Sequence, residues 1–184
     1  MATPVKRPTG RDEIADAVLD ATERLFAAAG PTDVSLRAIA QEAGVNYGLV
    51  HRHFGTKDEL FDRLLARYAE RWIARLDAGA DYDEALETLL GPTADSGAYL
   101  RLLAWTLLSD RDKGADAHRR HAALDRLPEL REGEDSAVTT AAALSLVFGW
   151  RFFSPFIRAA LHLDEVDDAE LHAAMRAELG RITG

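Results

Sequence analysis

The chain contains no cysteine. That excludes disulfides and thiolate metal sites, and it fits a reducing compartment. No uninterrupted apolar run approaches the roughly 18 residues that suggest a membrane span, so no membrane partner is expected. The stretch MATPVKRPTGR at the N-terminus is basic but has no apolar segment, so no secretory signal is read there and a cytoplasmic protein is predicted. Strand-like alternation is missing throughout. So are a G-x-S-x-G elbow, a phosphate-binding glycine loop, an H-E-x-x-H pair and a nucleophilic cysteine. The sequence is therefore not read as an enzyme, and no cofactor or metal is expected.

What remains is rich in Ala, Leu, Arg and Glu, with apolar residues recurring at spacings of three and four. The pattern predicts an all-α protein. A first helix starts near Thr9 or Gly10, turns Ile14, Val18, Leu25 and Phe26 inward, and stops at Gly30-Pro31. Ser35 caps a short second helix over 36–43, Gly44 breaks the chain, and Asn46 caps a third helix that ends at Gly55. Thr56 and Glu59 have capping-box spacing and open a long fourth helix to about Asp77. Further helices are predicted over 83–90, 96–110, 115–126, 136–161 and 167–181. Pro155 should kink the helix over 136–161, serving either helix packing or a cavity.

Charge is distributed unevenly. Residues 1 to 57 hold seven Lys/Arg and seven Asp/Glu, so the formal net charge of −9 falls wholly on the rest of the chain. Within the neutral part, SLRAIAQEAGVNYGLVHRHFGTKDELF joins two short helical patterns at a glycine. Its second helix gathers an asparagine, a tyrosine, an arginine and two histidines without an acid. Two short helices around a tight turn make a helix-turn-helix, whose second helix can enter the DNA major groove. Tyr47 and His51 share one face at i and i+4, while Val50 and Phe54 share the packed face. The outer face offers donors and a ring to bases and phosphates, with no carboxylate to repel them.

The words VSLRAIAQEAGVNYGLVHRHFGTKDELF closely resemble the DNA-binding region of the TetR family of bacterial transcriptional regulators. The resemblance spans residues 11 to about 70, and the later helix order is similar too, although residues 80–184 match only loosely in detail. It implies a helix-turn-helix DNA-binding domain over 1–56 and a helical ligand-binding and dimerisation domain over 57–184. It makes Asn46 the cap of the recognition helix, and Tyr47, Gly48 and Leu49 its groove-entering residues. His51 and His53 would reach phosphates or bases, and Ser35, Arg37 and Lys57 would grip the backbone. The family usually has tyrosine where this chain has His51, so an imidazole stands in place of a phenol. The implied partners are a double-stranded DNA operator, a second copy of the chain and a small-molecule effector, most simply for a repressor. An interaction module without operator binding is the alternative.

In that family the last two helices of each subunit commonly form a four-helix bundle. Residues 137–161 support this independently, being apolar around much of their circumference. Ala142, Leu146, Trp150 and Phe153 are the candidate dimer contacts. Tyr99, Leu102, Trp105, His121 and Trp150 are the candidate ligand contacts, with Tyr82, Leu108 and His118 beside them. His118 and His121 lack a third ligand for a metal.

Overall fold

The computed structural model describes residues 10–91, 94–108, 124–133 and 135–184. Eight α-helices and one 3₁₀ turn, Pro128–Leu130, make up the regular structure of these residues. They are α1 (Arg11–Asp33), α2 (Leu36–Glu42), α3 (Tyr47–Phe54), α4 (Lys57–Asp77), α5 (Tyr82–Leu90), α6 (Ala94–Leu108), α7 (Ser136–Ala160) and α8 (Asp168–Thr183). The predicted helix over 115–126 falls largely outside the described residues, as do His118, His121 and the basic N-terminal stretch.

Local chemistry sets most of the boundaries. Gly30, at φ 75°, interrupts the helical dihedrals of α1, so the expected stop is a break with one further turn beyond it. Ser35 Oγ accepts from the Ala38 amide at 3.2 Å, and Asn46 Oδ1 accepts from the Gly48 amide at 2.7 Å. Between them Gly44 adopts φ 68°, a left-handed conformation that a side chain would strain. The Thr56 amide donates to Glu59 Oε2 while the Glu59 amide donates to Thr56 Oγ1, closing the capping box of α4. The Thr56 amide bond first, and then the Thr56 hydroxyl donating to the same Oε2 at 2.9 Å, hold the Glu59 carboxyl below its ordinary range. Thr56→Ala should cost about 1 kcal/mol of unfolding free energy in a urea titration. The share carried by ionised Glu59 is present above its unfolded pKa and is lost as pH falls through the lowered folded value.

Among the described residues one apolar cluster runs from end to end. Val18, Phe26, Ile39, Val50, Phe54, Leu60 and Phe61 fill it at the helix-turn-helix end, and Leu64, Leu86, Leu102, Leu103 and Val147 continue it. α1 packs against α2, α4 and α6, so the two ends share one core. Phe61 meets Phe26 edge-on at 6.1 Å and Trp105 at 5.3 Å, joining α1, α4 and α6.

α7 runs through Pro155 to Ala160 without interruption. It buries Thr140, Ala143 and Val147, and the Tyr82 hydroxyl donates to Thr140 Oγ1 at 2.9 Å. Its length and apolarity also suit a membrane crossing, and most of its surface is uncovered. Val138 is 72% exposed, Phe153 60% and Phe156 73%. With Ala142, Ser145 and Gly149 between them, these positions advance by three or four residues and form one apolar stripe.

Candidate nucleic-acid interface

α2 and α3 hold the interface residues because their inner faces are pinned. Ile39, Ala40, Val50 and Phe54 are buried, which fixes the roll of both helices. At the first turn of α3, beyond these buried side chains, Tyr47 is 43% exposed, with its ring 6.5 Å from that of His51. The Arg37 guanidinium of α2 lies 5.8 Å from the Tyr47 ring centroid, within cation–π range. The two helices thus present a ring and a cation together. Arg52 is also exposed on α3 and belongs to this surface, although only its place in the basic stretch signals it in the sequence. Glu42, the acid between Arg37 and Tyr47 in sequence, is drawn to Arg24 of α1 at 2.9 Å.

Not every predicted contact shares this exposure. Ser35, Asn46 and Gly48 are exposed, but the oxygens of Ser35 and Asn46 already accept the cap bonds. Leu49 is half-buried against the core rather than standing beside Tyr47, and His53 is half-buried too. The Lys57 ammonium lies 5.4 Å from the Phe61 ring centroid at the start of α4. The amino ends of α2 and α4 carry the partial positive charge of the helix dipole, which suits phosphate.

Residues 18–64 match bacterial regulatory proteins of the tetR family. The chain is 37% identical over 181 residues to the HTH-type transcriptional repressor Rv3405c of Mycobacterium tuberculosis, covering 96% of this chain and 93% of that protein. It belongs to the TetR family. TetR-family proteins are transcriptional regulators rather than enzymes, and this chain is a regulator with a DNA-binding helix-turn-helix. Solved structures share the fold at lower identity. A transcriptional regulator from Rhodococcus sp. Rha1 superposes with a TM-score of 0.69 at 23% identity, covering 91% of this chain and 95% of that one. The multidrug binding protein EbrR, solved with imidazole, gives 0.63 at 19%, covering 92% and 94%.

In the TetR-like body, the predicted ligand residues that the structure describes, Tyr99, Leu102, Trp105 and Trp150, do not converge. Leu102 is fully buried in the core, and Trp105 packs on Phe61. Trp150 lines a 250 Å³ hollow with Arg151, Arg158 and His172. Burial, and then the charge of Arg101, lowers the Arg151 pKa. Tyr99 lines a different cavity, of about 40 Å³, with Tyr68, Arg71, Trp72 and Arg75 of α4 and Thr88 and Leu89 of α5. The α4 wall of this cavity lies ahead of every ligand contact predicted from the sequence. Tyr68 and Trp72, at i and i+4 on α4, are the signal that marks it. A third hollow, 390 Å³ between α6 and α7, is lined by apolar side chains including Leu103, Phe148 and Phe153. Among the described residues no group of three His, Asp or Glu is placed to hold a metal.

Proposed function

We propose that this regulator is a cytoplasmic repressor that binds a palindromic operator as a homodimer and is released by a small molecule. The DNA-binding unit is residues 1–56, and residues 57–184 bind the effector and the second copy. The observation that carries the reading is the exposed Arg37, Tyr47 and His51 surface of a helix-turn-helix whose apolar side chains are locked in the core. Tyr47, Gly48 and Leu49 enter the groove with Asn46 as cap. His51 and His53 reach bases or phosphates, while Ser35, Arg37 and Lys57 hold the backbone. Repression follows the function printed for Rv3405c, and effector binding has a precedent of fold in EbrR.

The α7 stripe supports the homodimer. Small residues at Ala142, Ser145 and Gly149 allow close approach, and Phe153 and Phe156 supply anchors. A second copy, not a bilayer, is the occupant we assign. Arg151 and Arg158 sit in the carboxy-terminal half of the helix, and Arg158 is committed to Asp168 of α8 at 2.5 Å. Ala142, Leu146, Trp150 and Phe153 are the proposed contacts. Release follows when the effector prefers a tilt of α4 that moves the two recognition helices off their half-site spacing.

Two substitutions separate the roles on DNA. Lys57→Ala should weaken binding to every sequence and reduce the salt slope by about one. Tyr47→Ala should instead relax sequence preference, at a cost of roughly 1–3 kcal/mol on the best site. Salt titrations of both variants on matched and mismatched duplexes test this. Identical, sequence-independent losses would refute the assignment of α3.

A further inference from the structure

The small cavity between α4, α5 and α6 is lined by Trp72 and Tyr99, whose side chains carry hydrogen-bond donors. Trp72 Nε1 and the Tyr99 hydroxyl are buried with no hydrogen-bond partner. Tyr99 is only 4% exposed. Leaving such groups unmatched in a folded protein is costly, so each is a place for an acceptor. Burial pushes the Tyr99 pKa up to about 12, so its phenol keeps its proton and remains a donor at physiological pH. Arg71 and Arg75 add two guanidinium groups to the wall, and among the described residues no carboxylate lines it. Tyr68, Trp72 and Leu89 supply aromatic and aliphatic surface. The volume of about 40 Å³ suits the polar end of a ligand rather than a whole drug-sized molecule.

Arg71 has a second engagement. Its Nη1 donates to both carboxylate oxygens of Glu23, at 3.2 and 3.3 Å. Glu23 lies on α1, the helix that packs behind the helix-turn-helix. Beside it, Arg67 of α4 holds Asp20 of α1 at 2.5 Å. One guanidinium therefore belongs both to the cavity wall and to the α1–α4 contact.

We propose that the cavity takes the carboxylate of a small aromatic acid, held by the Tyr99 hydroxyl and Trp72 Nε1, and that this carboxylate draws Arg71 away from Glu23. The proposal rests on the reading that the body binds an effector, and it supplies the effector's class and its link to α1. A bound acid loosens α1 from α4, and by linkage DNA weakens acid binding by the same factor that acid weakens DNA binding.

Calorimetric titration of the full chain with benzoate, benzyl alcohol and benzylamine tests the class. Benzoate should bind at least about tenfold tighter than either of the others, the difference expected of hydrogen bonds to a charged group. Tyr99→Phe should weaken benzoate about tenfold for the same reason. Glu23→Gln, which frees Arg71 without touching the cavity, should tighten it. Benzoate should also weaken binding to a selected DNA duplex, and Arg71→Gln should abolish that response. Benzyl alcohol or benzylamine binding as well as benzoate would overturn the acid assignment and leave the effector reading standing. Unchanged benzoate affinity in both Tyr99→Phe and Glu23→Gln would overturn the site. If none of the three binds, the proposal falls, and a panel of neutral apolar compounds then decides separately whether the body takes any effector.

Discussion

Phe153→Glu is expected to leave a folded monomer and to weaken operator binding by roughly 10²–10⁴-fold, because two half-sites no longer bind through one linked pair. Phe153 is well exposed on the α7 stripe, so a carboxylate there meets water in a single chain. Across a two-fold interface the same change places two buried charges near each other, at a cost that packing does not offset. Light scattering reports the mass, circular dichroism the fold, and fluorescence polarisation the DNA affinity. A variant that stays dimeric and binds DNA normally would remove α7 from the interface.

Phe61→Ala should lower the unfolding free energy by about 3–5 kcal/mol, the usual loss for a large aromatic removed from a core. Its ring is 2% exposed and touches Phe26 of α1 and Trp105 of α6 edge-on. Deletion opens a void where the DNA-binding end meets the body, in an interior that is otherwise close-packed. Urea unfolding followed by circular dichroism measures the loss. A cost below about 1 kcal/mol, the level of a surface change, would contradict the packing described here.

The helix-turn-helix was legible in the sequence because short-range chemistry specifies it. Ser35, Asn46 and Thr56 cap helices through bonds spanning two or three residues, and Gly44 marks its turn by lacking a side chain. The exposed pairing of Tyr47 with His51 follows from helical spacing alone. Leu49 was harder, since its neighbours on the bundle decide whether an apolar residue beside an exposed one turns inward. The cavity was not legible for a similar reason. Tyr99 is predicted as a ligand contact while Tyr68 and Trp72 are not, and only the packing of α4 against α5 and α6 brings the three around one cavity. Leu102 and Trp105 show the converse: their spacing suggests a ligand stripe, but Phe61 and the core take up both side chains.

The central claim is that α3 reads DNA from a two-fold symmetric dimer. Selection of random duplexes by the purified protein, followed by sequencing and repetition with Tyr47→Ala, tests it most directly. The account predicts an inverted repeat from the native protein and loss of base preference at matching positions in both half-sites from the variant. A recovered site without dyad symmetry, or an unchanged preference in Tyr47→Ala, would contradict it.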